Sequence, residues 1–182
     1  RCLMSVRFLL EFLRDPLSTG AILPSSKALA LEMVKGIGLE EAQVVVEYGP
    51  GTGAFTGFIL RRISRQAKFF AIEKNPTLAK QFKERFPQVP VYVASAAEVE
   101  RFLAEQGADA ADCIVCGLPW ASFGEKEQEE LLLVTYRALK PGGRFTTFAY
   151  LQGLLLRSGR RFRRRIKDLF SNVTVSKTVW LN

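Results

Sequence analysis

From residue 44 onward the chain alternates between two periods. Val44 to Val46, Lys68 to Ile72, Val89 to Ala94, Ala111 to Cys116 and Arg144 to Tyr150 are apolar runs of strand length. They are rich in β-branched and aromatic residues and bounded by Gly, Pro or charge. Between them, residues 54–64, 76–86, 98–106 and 128–139 return an apolar side chain every third or fourth position, as Phe55, Phe58, Ile59 and Ile63 do in the first. Strand, helix, strand, helix predicts a mainly parallel α/β sheet with right-handed crossovers and helices on both faces. Punctuation agrees with that reading: Asn75-Pro76 predicts a capped helix start, and Gly36 and Gly107 predict helix stops.

Leu3 to Arg14 carries Arg7, Glu11 and Arg14 on one narrow stripe, with Leu, Met, Val and Phe around the rest. This predicts an amphipathic helix, either packed on the domain or lying in a membrane interface. Asp15-Pro16 ends it. A second helix is predicted from Lys27 to about Lys35, with Ser25 or Ser26 as its N-cap. Val173 to Leu181 alternates like a final strand. The expected organisation is one domain over residues 1–182, in which a helical segment, 1–36, precedes a core, 43–182.

Composition adds a partner. A chain of 182 residues with 48% hydrophobic residues can bury a full core, and its net charge of +8 without a histidine points to an anionic surface. Seven cations and no acid lie between Arg157 and Lys167: Arg157, Arg160, Arg161, Arg163, Arg164, Arg165 and Lys167. Lipid and nucleic acid phosphates both attract such a run. Leu154-Leu155-Leu156 just before it favours lipid. No apolar run reaches the roughly 18 residues of a spanning helix, and the start lacks the small-residue cleavage site of a signal peptide. A cytoplasmic protein bound peripherally to membrane is expected. Cys113 and Cys116 fall in one strand three residues apart, on opposite faces, so no metal site is expected, and histidine-dependent triads are excluded.

The chemistry centres on Glu47-Tyr48-Gly49-Pro50-Gly51-Thr52-Gly53, where an apolar strand ends in an acid and three alternating glycines. Only residues without Cβ let a backbone turn with positive φ close to a ligand. Neither the Walker nor the dinucleotide glycine spacing fits. Glu47-x-Gly49-x-Gly51-x-Gly53 resembles instead motif I of class I methyltransferases that use S-adenosylmethionine (AdoMet). Glu73, 20 residues beyond Gly53, ends the next strand, where an acid accepts from both ribose hydroxyls. Ser95 ends the third strand, where many such enzymes place an Asp for the adenine amine. Ser26 is a helix cap or a donor to the AdoMet carboxylate.

Gly117-Leu118-Pro119-Trp120 leaves the fourth strand at the acceptor position. It resembles the Asn-Leu-Pro-Tyr loop of adenine dimethylases with Gly117 replacing the Asn. Trp120 is either an aromatic wall for a cationic alkylated amine or a core residue, and Tyr150 either orients the acceptor amine or is buried with a backbone partner.

Together with Asp15-Pro16, Pro24-Ser25-Ser26, Glu73-Lys74-Asn75-Pro76, Pro141-Gly142-Gly143-Arg144-Phe145 and Val179-Trp180-Leu181-Asn182, these motifs make nearly the whole chain resemble the bacterial phospholipid N-methyltransferases. The resemblance implies a Rossmann-like, doubly wound fold and methyl transfer from AdoMet to phosphatidylethanolamine or a related amino-lipid. It also implies an anionic membrane as partner, met through residues 1–14 and Arg157 to Lys167. Members of that family carry a last strand beside the fifth, drawn from sequence beyond Asn182. An RNA or DNA adenine methyltransferase and a non-catalytic membrane- or nucleic-acid-binding module of the same fold are the alternatives.

Overall fold

A computed structural model describes residues 5–12, 24–150, 155–176 and 179–180, with side chains over 27–149 and 155–176. Its centre is the run that ends in the glycines. Strand β2 (Val44–Tyr48) pairs in parallel with β3 (Lys68–Glu73) on one side and β5 (Ala111–Cys116) on the other. β4 (Val91–Val93) pairs outside β3, and β6 (Leu139–Tyr150) outside β5. All of these ladders are parallel, which requires a crossover at each step. The crossovers carry α2 (Thr56–Leu60), α3 (Pro76–Arg85), α4 (Val99–Glu105) and α5 (Glu125–Ala138), while α1 (Pro24–Val34) leads into β2.

Successive strand residues feed two cores, as a pleated strand covered on both faces must. Val45, Ala71, Cys113, Val115 and Phe148 pack with Met33 of α1, Ile59 of α2 and Phe82 of α3. Val46, Tyr48, Phe70, Ile114 and Cys116 pack on the opposite face with Phe102 of α4, Leu132 of α5 and Phe162 of α6 (Arg157–Leu169). Cys113 and Cys116 are free thiols, one in each core. Burial pushes both up to about 12. The Asn75 cap forms as its sequence requires, its Oδ1 accepting from Thr77 N at 2.9 Å and Leu78 N at 3.3 Å, with Pro76 in the first turn.

The N-terminal segment departs from expectation. Residues 5–12 form a strand, β1 (Ser5–Phe12), and not the predicted amphipathic helix. β1 runs parallel to β6 over seven register pairs, from Ser5↔Arg144 to Glu11↔Tyr150. On its other side it pairs with β7 (Asn172–Val175) and β8 (Val179–Trp180), the two pieces of the predicted last strand. The sheet order is thus β4-β3-β2-β5-β6-β1-β7. β1 stands beside β6, the position at which the resemblance placed a further strand. The ambiguity has a physical source. Arg7 and Glu11, four apart, share a face in a helix and also in a strand, and a short apolar run flanked by partners on both sides satisfies its backbone in a ladder. The division into a helical 1–36 and a separate core is corrected accordingly, since residues 5–12 belong to the sheet. Asp15-Pro16 lies outside the described residues.

Pro141-Gly142-Gly143 is an excursion within β6. Five residues from Leu139 to Arg144 advance while β5 advances two, from Ala111 to Cys113, and Gly142 takes φ +80°. The excursion brings Lys140 onto the Asp112 carboxylate. Asp112 also accepts from Gln43 N at 3.0 Å and Val44 N at 2.8 Å, tying three strand starts together. Burial alone would raise this carboxyl, but the Lys140 ammonium and the two amides outweigh it and hold it below the ordinary range.

A depressed carboxyl stabilises the fold above its unfolded value of about 3.9, and that stabilisation is lost as pH falls through its folded value. Asp112→Asn is therefore expected to lower stability at pH 7 by roughly 1–3 kcal/mol and to remove part of the acid-side loss. Urea unfolding between pH 2.5 and 7 measures both; an acid limb identical to wild type would refute the assignment.

Candidate active site

The carboxyl ends of β2, β3, β4 and β5 open on one side of the sheet, and the loops leaving them meet there. Gly49, Gly51 and Gly53 take φ of +58°, +56° and +89°. Their surroundings differ. A Cβ on Gly53 would run into the Phe86 ring, and one on Gly49 would come within 2.6 Å of Leu118 Cδ2. A Cβ on Gly51 would meet nothing within 4 Å. Gly51 is the loop's open point, the place where a ligand can reach the backbone.

Gly117 is the counterpart on β5. Its N–H donates to Tyr48 O at 2.8 Å, and a Cβ there would lie 2.7 Å from Gly49 O. Two backbones touch, so no side chain fits at position 117. The departure from the Asn of adenine dimethylases therefore has a steric cause in this chain.

Two acids flank the loop in different surroundings. Glu73 Oε2 accepts from Gly51 N at 3.1 Å and its Oε1 from Asn75 N at 2.9 Å, which places a carboxylate directly on the open point of the loop. Glu47 lies beneath the loop, fully buried, with Oε2 accepting from the Thr56 hydroxyl at 2.7 Å and Oε1 without a hydrogen bond. Burial with a single hydroxyl donor pushes its carboxyl up to about 8.

Beside Glu73, a cleft of about 140 Å³ opens between Ser95 and the Gly117 loop, with Leu118 and Phe123 among its apolar walls. Ser95 lines it, but the hydroxyl oxygen accepts from Ala97 N at 3.2 Å and caps a short 3-10 turn. Trp120 does not line it. The indole is buried, stacked on Phe162 at 4.4 Å, edged by Phe123 and Phe145, and its N–H donates to Thr147 Oγ1 at 2.9 Å. The expectation of an open aromatic wall at Trp120 is corrected. A large ring with one polar atom is satisfied inside the core, where both stacking and a hydroxyl acceptor await it. Pro119 and Leu118 remain at the cleft. The side chains of Ser26 and Tyr150 lie outside the described residues; the backbone of Ser26 is in the first turn of α1 and that of Tyr150 is the last residue of β6.

Several contributors were not singled out in the sequence. Thr56 holds Glu47, and Phe86 covers Gly53. Gln128 is buried and donates to Trp120 O at 2.5 Å and Ser158 O at 3.3 Å, while Ser158 donates to Ala121 O at 2.8 Å. A signal for Gln128 existed: it stands at helical spacing with Leu131, Leu132 and Thr135, a polar residue on an otherwise buried face.

On α6, Arg161 pairs with Glu125 at 3.7 Å and Arg165 with Glu129 at 3.1 Å. Arg157, Arg160, Arg163, Arg164 and Lys167 are exposed and make no ion pair among the described residues. At about 100° per residue these five occupy roughly a third of the helix circumference. Leu155 and Leu156, immediately before them, are exposed as well. No helix among the described residues is long and apolar enough to cross a membrane.

Residues 45–143 match the methyltransferase domain family. The chain is 32% identical over 158 residues to an ornithine lipid N-methyltransferase of Singulisphaera acidiphila, covering 85% of this chain and 82% of that protein. It is 28% identical over 106 residues to an uncharacterized methyltransferase-like protein of Schizosaccharomyces pombe, 58% of this chain and 38% of that one. Among solved structures it resembles a SAM-dependent O-methyltransferase of Thermotoga maritima (TM-score 0.57, 19% identity, 83% of this chain and 52% of that one). It also resembles TrmN of Thermus thermophilus (TM-score 0.56, 18% identity, 75% and 43%). The chain spans about half the length of these solved structures, and the likeness establishes the fold.

The buried Glu47 carries a stability signature. Between about pH 4.5 and 8 the folded ligand-free protein holds a proton that the unfolded chain has released, so Glu47 makes stability fall as pH rises through that window and levels off above it. Glu47→Gln removes this component. The difference in unfolding midpoint between variant and wild type is expected to grow in the variant's favour from pH 5 to 8; a difference independent of pH would show that Glu47 titrates normally.

Proposed function

The chain belongs to the class I methyltransferase domain family, whose cofactor is AdoMet, and from that premise we propose that it N-methylates an amino-lipid headgroup at an anionic membrane surface. Phosphatidylethanolamine and amine-bearing relatives such as ornithine lipids are the substrate class. The structural observation that carries the acceptor side is the Gly49 to Gly117 contact. It leaves no room for the amide side chain with which an adenine dimethylase loop would hold a base. The lipid N-methyltransferase named above, similar over most of both chains, supports the same reading.

The residues present fit the cofactor. Gly51 leaves open space where a side chain would stand, a carboxylate lies beside it, and a mostly apolar cleft continues from there. In this reading Gly49, Gly51 and Gly53 admit the methionine part and Glu73 accepts from the ribose hydroxyls with the lone pairs left free by Gly51 N and Asn75 N. Glu47 lies under the loop at the cofactor's amino end, with Ser26 at the start of α1 as a donor to its carboxylate. Bound AdoMet supplies an electrophilic methyl on a sulfonium. The chain's part is placement: Gly117, Leu118 and Pro119 form the acceptor side, and Tyr150, at the end of β6, orients the amine. Near-attack alignment of amine and methyl accounts for most of the rate such a site can supply. The headgroup ammonium must first lose a proton, to Tyr150, a carboxylate or water.

Membrane contact is assigned to the outer face of α6, its five exposed cations and the leading Leu155 and Leu156. Residues 5–12 are withdrawn from that role, because a strand with partners on both edges does not present an interfacial helix. The protein is placed at the membrane periphery.

Incubation with methyl-labelled AdoMet and either phosphatidylethanolamine-containing vesicles or total RNA is expected to label lipid. Label confined to RNA would overturn the assignment, and label in neither would favour a binding module. Separately, Arg160→Ala with Arg164→Ala is expected to weaken sedimentation with anionic vesicles by about 30-fold, at about 1 kcal/mol per cation. Unchanged sedimentation would remove α6 from the membrane contact.

A further inference from the structure

The cleft beside Glu73 is where an adenine ring would lie, and its polar groups are unequal. The flat apolar walls, Ile72, Leu118, Phe123 and Leu131, suit the faces of a heterocycle. The exocyclic amine of adenine, a donor of two hydrogens in the ring plane, needs an acceptor at the edge. Many methyltransferases of this fold place a carboxylate at the end of the third core strand; here that residue is Ser95, whose oxygen already accepts from Ala97 N. Glu73 accepts from two backbone amides and its remaining lone pairs are assigned to the ribose hydroxyls, and Lys74, also at the cleft, offers only donors.

One lining carboxylate is uncommitted. Glu127 of α5 reaches the cleft, is exposed, and makes no hydrogen bond or ion pair among the described residues. Its neighbours along the helix are engaged elsewhere: Glu125 and Glu129 are drawn to Arg161 and Arg165 of α6. Glu127 is two residues from each and so faces away from α6, while Leu131, one turn on, shares its side and is buried in the cleft wall.

We infer that Glu127, not Ser95, accepts the hydrogen bond from the cofactor's exocyclic adenine amine, so that a carboxylate missing from the third core strand is supplied from α5 across the cleft. A charged acceptor forms a bond roughly twice as strong as a neutral hydroxyl and discriminates against a base that presents a carbonyl at the same place. The inference rests on the AdoMet assignment and is independent of the lipid acceptor.

Calorimetric binding of S-adenosylhomocysteine and of its inosine counterpart, which has a carbonyl in place of the amine, tests it without turnover. Wild type is expected to prefer the adenosyl ligand by tenfold or more. Glu127→Ala should lose about tenfold in adenosyl affinity with little change for the inosyl ligand, collapsing the preference, and Glu127→Gln should retain part of it through its amide oxygen. Ser95→Ala should keep the preference. An unaltered urea midpoint for Glu127→Ala would confirm that the fold is intact. The inference is overturned if Glu127→Ala keeps the preference, if it weakens both ligands equally, or if Ser95→Ala alone abolishes the preference. A wild type that binds neither ligand would instead reject the cofactor assignment on which the inference stands.

Discussion

Two backbones touching, Gly49 against Gly117, set the geometry on which the rest of the site depends. A side chain on Gly117 would collide with the Gly49 carbonyl and one on Gly49 with the Leu118 side chain, while Gly117 N donates to Tyr48 O and Gly49 N to Ile72 O at 2.9 Å. Three adjacent strand ends are thereby locked in depth. Leu118 is pressed over the glycine turn, Gly51 is left as the turn's open point, and Glu73 comes within hydrogen-bonding distance of it. The glycine turn and the loop leaving β5 are thus positioned by the same contact.

The protein keeps two inward-facing carboxyls in opposite condition, and the donors around each explain why. Asp112 gathers two amides and an ammonium at the amino ends of the strands, enough to offset its burial. Glu47, on the adjacent strand but near its carboxyl end, has one hydroxyl and an idle oxygen. The first acts as a clamp for three strand starts. The second is an unspent interaction under the glycine loop, an arrangement that costs stability and is typical of functional sites.

Much of this was legible along the chain because local chemistry and tertiary demand agreed. Alternating glycines after an acid predict a positive-φ turn, Asn75-Pro76 a capped helix start, and cysteines three apart in a strand opposite faces, and all three are found so. Residues 5–12 failed for the opposite reason. An eight-residue apolar run carries no period that separates helix from strand, and the partners that decide it, β6 and β7, lie more than 130 residues away. Trp120 shows another limit. An aromatic in a loop tetrapeptide suits a site wall or a core equally until Phe162 and Thr147, from distant elements, are seen to enclose it. Glu127 was illegible too, since a solvated helix acid looks the same whether or not a cleft lies beside it.

The Trp120 stack has a mechanical consequence. Phe162 belongs to the helix that carries the cationic face, and Trp120 to the loop on the acceptor side; Gln128 and Ser158 add hydrogen bonds between the same two pieces. The surface that would rest on phosphates and the loop that would receive an amine are thus packed and hydrogen-bonded to each other. Such a coupling works as a gauge. On the proposed membrane contact, the depth at which the helix settled would set how far above the headgroup plane the loop stands, so headgroups of one reach would be served and shorter or longer ones passed over.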